Sequence, residues 1–297
     1  MEKDEVITLE DRGFIEVNGP EAKDFLQNIV TNDIEKATNN STIFSLILTP
    51  QGKYLFEFFV LKLNVGYLLE CEKKSTAEII KLLKFYKLRS KVDFTDLSEK
   101  YVAAVISLEK FKEINGSNLS KGSTTSYRED PVYVDPRNDK LGAKIISKLE
   151  NIHLTIKNLN LKISDKKNYY NKSFELGIPQ INLNKLKDKI FGIENNLDEL
   201  HGIDFKKGCY IGQENTSRIK LRDKLRRRIL PVKKIAGEVT ENDVIKYKNI
   251  EVGKIMIDKP YSFALIKVIE PDLKEFTNIE LMCGASKVKI LKPEWIT

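Results

Sequence analysis

The sequence predicts an α+β fold that ends in an all-β segment, and two observations carry that expectation. Up to about residue 176, single amphipathic helices alternate with short strands and tight turns, which suggests α+β layers rather than a doubly wound sheet. From about Ile229 the helical period disappears and six short strands follow, separated by Gly and Asp/Asn turns, the pattern of a small barrel or sandwich.

Taken in order, Ala22, Phe25, Leu26, Ile29 and Val30 form an i, i+3, i+4, i+7, i+8 stripe, so a helix is expected over Glu21–Asn32 with Pro20 at its first position. Strands are expected at Ile43–Leu48 and Tyr54–Leu63, flanking Thr49-Pro50-Gln51-Gly52, and at Tyr67–Cys71. Ser75-Thr76-Ala77-Glu78 has the form of a capping box, and Ile79, Ile80, Leu82, Leu83 and Tyr86 continue a second helix. Strands follow at Val92–Phe94 and Tyr101–Ile106. Glu113–Tyr127 is polar and reads as a loop. Val132–Val134 and Leu141–Ile146 read as strands, and a helix near Asp165–Leu176 stops at Gly177 with Pro179 beyond. The closing strands are expected at Ile229–Lys234, Val244–Tyr247, Ile250–Ile257, Phe263–Ile269, Ile279–Cys283 and Val288–Leu291.

Composition narrows the function. The chain has 297 residues, 41% of them hydrophobic and 31% charged, enough for two domains or one large composite and too apolar for disorder. The net charge of +7 suits an anionic ligand better than a dedicated DNA partner. Two histidines, His153 and His201, exclude most histidine-built metal sites. Three separated cysteines (Cys71, Cys209, Cys283) argue for a reducing compartment and are too few for a cluster held by four cysteines. The charged start Met1-Glu2-Lys3-Asp4-Glu5 lacks a signal-peptide core, and no apolar run approaches the ~20 residues of a membrane span. A cytoplasmic chain without a membrane partner is the expectation.

No phosphate-binding loop, dinucleotide fingerprint or nucleophile elbow occurs. The informative stretch is Gly202–Arg228. Gly208 and Gly212 bracket Cys209, where a glycine lets the backbone turn sharply or a ligand approach. A helix expected over Gln213–Leu221, with Lys206 and Lys207 alongside, would lower the Cys209 pKa; the plainer alternative is a small apolar filler in a tight turn. Five of the nine arginines (Arg218, Arg222, Arg226, Arg227, Arg228) fall within eleven residues. They make either a solvated basic face or a rim for planar anions.

The run Lys207-Gly208-Cys209-Tyr210-Ile211-Gly212-Gln213-Glu214, preceded by Asn196-Leu197-Asp198 and Gly202-Ile203-Asp204-Phe205, resembles the signature of the YgfZ-type folate-binding proteins, relatives of the glycine-cleavage T protein (GcvT, an aminomethyltransferase). Gly13-Phe14, Phe25-Leu26-Gln27-Asn28, Gln51-Gly52-Lys53, Leu88-Arg89-Ser90, Asp135-Pro136-Arg137, Leu141-Gly142, Gly177-Ile178-Pro179 and Arg226-Arg227-Arg228 fall in family order, so the resemblance covers nearly the whole chain. It implies a three-part ring. Its parts are a first α+β antiparallel-sheet unit (residues 1–46 and 128–222), a second (47–127), and a C-terminal β-barrel (223–297).

The resemblance also implies tetrahydrofolate or a derivative as ligand. The implied role is accessory, in assembly or maintenance of iron–sulfur clusters in client enzymes, tRNA-modifying ones included. Folate and the client or assembly proteins are the expected partners of a monomer that binds no nucleic acid stably. Cys209 is the implied functional thiol, with Lys207, Gly208, Tyr210, Gln213, Glu214, Arg218, Arg226, Arg227, Arg228 and Arg137 as implied folate-site residues and no metal ligand. The alternative is an aminomethyltransferase. Against it, the T protein's acidic pair after Gln-Gly leaves only Glu57 as a candidate acid here. Its pterin-holding T-G-Y-T-G-E segment corresponds to Asp135-Pro136-Arg137-Asn138-Asp139-Lys140. An RNA-binding module has only the arginine cluster and the net charge in its favour and lacks interleaved aromatics.

Overall fold

A computed structural model describes residues 1–116, 119–222 and 225–296. In chain order the first half holds β1 (Glu5–Leu9), β2 (Arg12–Asn18), α1 (Ala22–Ile29), β3 (Ile43–Leu48), β4 (Tyr54–Lys62), β5 (Tyr67–Glu72), α2 (Thr76–Lys87), β6 (Asp93–Asp96), β7 (Tyr101–Ile106) and α3 (Leu108–Asn115). Then come β8 (Thr124–Tyr127), β9 (Asp130–Val134), β10 (Ala143–Lys148), α4 (Ile152–Asn158), β11 (Lys162–Ile163), α5 (Lys166–Glu175) and α6 (Gln213–Leu221). The remainder is β12 (Arg227–Ala236), β13 (Val244–Tyr247), β14 (Ile250–Ile257), β15 (Phe263–Lys267), a one-turn α7 (Leu273–Phe276), β16 (Glu280–Cys283) and β17 (Ser286–Ile290).

By contact these residues divide into two compact units. One comprises 1–47, 56–169 and 200–211; the other comprises 48–55, 170–199 and 212–297. The first unit is built on two sheets. The six-stranded sheet has the order β11-β1-β7-β10-β9-β8, and the five-stranded one has the order β3-β4-β5-β2-β6. Every residue of β3 and β5 is buried, which is why these strands read as continuous apolar runs rather than alternating ones. The expected all-antiparallel pairing fails at one edge. There α4 carries the chain across to β11, which joins β1 in parallel (Glu5↔Lys162).

Several local expectations shift for identifiable reasons. α1 ends at Ile29 because Val30 turns extended (φ −90°, ψ 153°) and bridges to Ile47. It starts at Ala22, after Glu21, so Pro20 lies outside it. The Ser75 capping box is not made: Ser75 makes no side-chain cap bond, and a short 3-10 turn over Lys73–Ser75 leads into α2. The expected loop 113–127 contains the end of α3 and all of β8, with residues 117 and 118 outside the described set.

The second unit holds the closed barrel β12-β15-β14-β13-β16-β17. Leu230, Val232, Ile245, Val252, Ile255, Ile266, Val288 and Ile290 fill its interior, each at most 1% exposed. Closure leaves no free strand edge, and it resolves the choice between barrel and sandwich. α5 ends at Glu175, two residues before Gly177 (φ 72°), and the Trp295 indole N–H donates to the Leu176 carbonyl (2.6 Å).

Candidate functional site

Glu70 on β5 is fully buried and lies where the two sheets of the first unit face each other. Its Oε1 accepts from Arg12 Nε on β2 (2.8 Å) and from Lys144 Nζ on β10 (2.8 Å), and Oε2 accepts from the Tyr133 hydroxyl on β9. Burial alone would raise this carboxyl. Lys144 and Arg12 overcome it and hold the group down at about 2. Phe59 supplies an aromatic face to Lys144 (3.9 Å from ring centre) and to Arg137 (4.6 Å). Arg137, 2% exposed, donates to its neighbour Asp135 from Nη2 (2.8 Å) and Nε (3.1 Å), and its Nη1 stands 3.8 Å from Glu57.

Two sequence-predicted site residues, Arg137 and Glu57, thus sit in a buried charge network. Sequence reasoning missed its centre. Glu70, Lys144 and Arg12 are isolated charges in apolar strands, and only their coincidence could have signalled it.

The Cys209 loop is fastened to the end of α1. A helix leaves its last carbonyls unpaired, and the negative end of its dipole favours a cation there. Lys207 fills that place: its ammonium donates to the carbonyls of Gln27 (2.7 Å), Val30 (2.6 Å) and Asn32 (3.0 Å). Burial draws the ammonium down to about 8, against the pull of Asp33 and Asp204. Beyond Cys209, the Ile211 N–H donates to Asn28 O (3.2 Å). Before it, Thr31 Oγ1 donates to Gly202 O (2.6 Å) and Asn32 Nδ2 to His201 O (2.9 Å).

Tyr210 is 8% exposed with the Lys207 ammonium 5.1 Å from its ring centre, whereas Gly208 and Cys209 are exposed. A Cβ at Gly208 would meet nothing within 4 Å, so that glycine relieves no crowding and the surface beside the thiol is open. Gly212 does need to be glycine: φ is +86°, and a Cβ would stand 2.5 Å from Thr49 O.

Cys71 and Cys283 are buried, and burial pushes their thiols up to about 12 and about 11. Iodoacetamide on the native protein is therefore expected to label Cys209 alone, with the other two appearing only after denaturation. Site-resolved mass spectrometry checks this, and native labelling of Cys71 at a rate matching Cys209 would contradict it.

The arginine cluster separates in the second unit. On the exposed face of α6, Arg218 pairs with Glu214 one turn earlier (2.6 Å), and Gln213 opens the helix. Arg227 Nε pairs with Glu194 Oε1 (2.9 Å), while Arg228, on the opposite face of β12, pairs with Glu199 (2.5 Å) and Asn196 (3.1 Å). Arg226 and Arg227 border a cavity of about 620 Å³ together with Lys267, Glu194 and Glu270, with Phe191, Ile219, Leu225 and Ile269 as apolar wall. That size lies within the roughly 300–1,000 Å³ of small-molecule sites. Among the described residues, no three His, Cys, Asp or Glu side chains come together in a way that could hold a metal ion. No helix among them is long and apolar enough to cross a membrane.

Two sheets of α+β build and a closed six-stranded C-terminal barrel define a GcvT-like fold. Glycine cleavage system aminomethyltransferase T from Bartonella henselae shares it at a TM-score of 0.75, over 98% of this chain and 86% of that one, with 12% identity. Residues 5–107 match the GCVT N-terminal domain.

Relatives named iron–sulfur cluster assembly factor IBA57 homolog, mitochondrial, occur in Neurospora crassa (28% identical over 296 residues, 96% of this chain and 64% of that protein) and Dictyostelium discoideum (27% over 279 residues, 84% and 65%). Another in Pyricularia oryzae is 30% identical over 228 residues, 75% of this chain and 56% of that protein. The chain spans less than two thirds of the length of these relatives.

Proposed function

We propose that this protein is a folate-binding accessory factor for the assembly or maintenance of iron–sulfur clusters, with the cluster as cargo and Cys209 as the working thiol. The observation that carries the reading is the presentation of Cys209. Lys207 and Ile211 anchor the loop on either side to the end of α1, and the two residues between these anchors that face solvent are Gly208 and Cys209. A thiol held outward on a fixed loop suits transient contact with a partner's cluster or cysteine. The names of the relatives support the same direction.

The cavity supports a reduced folate. Arg226, Arg227 and Lys267 are suited to the glutamyl carboxylates, and the apolar wall around Phe191 to the aromatic part of the ligand. Aminomethyl transfer finds less support. Glu57, the one acid that could serve it, is 8% exposed and faces Arg137 within the core.

Isothermal titration with 5-formyltetrahydrofolate tests the ligand. Arg226→Ala with Arg227→Ala is expected to weaken the triglutamate form about tenfold or more and the monoglutamate less, with the difference shrinking as salt rises. Unchanged affinity for both forms would remove these arginines, and the cavity, from the reading.

A further inference from the structure

One end of the five-stranded sheet collects exposed apolar tips among unpaired cations. Register places Val17 of β2 opposite Tyr67 of β5 and Asn18 opposite Asp93 of β6, so the β4–β5 turn, the end of β2 and the α2–β6 connection lie side by side. Close approaches confirm the adjacency. A Cβ on Gly66 would stand 2.2 Å from Val17 O, one on Gly19 would stand 2.3 Å from Lys91 O, and the Lys91 N–H donates to Glu21 Oε2 (3.1 Å).

Val65 on the β4–β5 turn, Phe85 in the last turn of α2 and Leu88 just beyond it are 66%, 73% and 88% exposed. Leu88 stands out further. The Lys87–Ser90 turn, closed by the Ser90 N–H on Lys87 O (2.8 Å), holds it at φ 45°, ψ −108°, a corner that glycine occupies without steric cost. A bulky apolar side chain there is neither needed by the turn nor buried by the fold.

The charges around these tips are positive. Lys87 is matched by Asp93 (3.1 Å) and Lys23 by Glu35. Lys81, Lys84, Arg89 and Lys91 are exposed and make no ion pair among the described residues. On α2, Lys81, Lys84 and Phe85 follow i, i+3, i+4 spacing, so cations and an apolar tip share one face, and Leu88 follows directly after the helix. Beside them runs a groove of about 440 Å³ with Lys23, Lys62 and Tyr67 in its wall.

We propose that this end of the sheet docks on an anionic phospholipid surface, with Phe85, Leu88 and Val65 entering the headgroup–acyl boundary and the Lys/Arg collar meeting the headgroups. Val65 stands on the β4–β5 turn, and Phe85 and Leu88 stand at the end of α2 with Lys84, Lys87 and Arg89 beside them in the chain. The buried centre of a protein interface is depleted of charge, whereas a bilayer accepts apolar tips ringed by charge and rewards each nearby cation. A contact of this kind lies on the membrane and needs no spanning helix, so the expectation of no membrane partner, drawn from hydropathy, does not bear on it.

Co-sedimentation of the full chain with vesicles tests the proposal, using phosphatidylcholine alone against phosphatidylcholine containing about one third phosphatidylglycerol. Binding is expected only to the anionic vesicles, and it should decline as salt rises. Leu88→Gly removes the tip while relieving its backbone, so it should lower binding about tenfold without lowering the melting temperature. Lys84→Glu with Arg89→Glu should abolish binding. Failure of the wild-type chain to bind anionic vesicles, or equal binding by Leu88→Gly and the charge-reversed variant, would overturn the proposal. So would retention on poly-glutamate beads without vesicle binding, which would assign the face to an acidic protein.

Discussion

Glu70→Ala is expected to destabilise the first unit by about 3–5 kcal/mol, because it removes the carboxylate on which two buried cations end. Arg12 and Lys144 both end on Glu70 Oε1, and the Tyr133 hydroxyl ends on Oε2. Lys144→Met should cost less, since it leaves Glu70 with Arg12 and Tyr133. The order of the two variants therefore identifies Glu70 as the centre.

Acid should reproduce part of the effect. The folded-state pKa of Glu70 is about 2 against an ordinary 4.5. Its contribution is whole above about pH 4.5, drains as the pH falls towards 2, and amounts to about 3 kcal/mol at about 1.4 kcal/mol per unit. Melting curves from pH 6 to pH 3 are expected to show a steeper loss for the wild type than for Glu70→Gln. Parallel curves, or a Glu70→Ala cost under about 1 kcal/mol, would show that the network contributes little.

The fold was legible where periodicity or turn chemistry is local. The helix Gln213–Leu221 and the strands Val244–Tyr247 and Ile250–Ile257 lie where the pattern puts them. What escaped depends on pairing across the chain. Lys144 reads as the polar position of an alternating strand, yet its partner Glu70 lies 74 residues away on the facing sheet. The two-residue β11 carries no pattern of its own and is a strand because the N–H groups of Lys162 and of Ser164 just after it donate to Asp4 O and Val6 O.

The site was legible in part. The sequence singled out Cys209, and the structure exposes it. Lys207, read as part of the electrostatic approach to that thiol, instead caps the carbonyls of α1. Five clustered arginines suggested one rim. Arg226, just before β12, and Arg227, its first residue, border a cavity, and strand alternation turns Arg228 away.

The second large effect concerns Cys209. Because the loop is held by Lys207 and Ile211 and not by the thiol, Cys209→Ser should leave stability within about 0.5 kcal/mol of wild type. If the thiol is the working group, function should nevertheless fall to background. Retained stability with lost function separates a chemical role from a packing one.

The measurement that bears most directly on the proposed function is the activity of an iron–sulfur client enzyme in cells lacking their own copy of this protein. Wild-type chain is expected to restore that activity, and Cys209→Ser, expressed at the same level, is expected to leave it at the deletion background. Full restoration by Cys209→Ser, or no restoration by the wild type, would contradict the account.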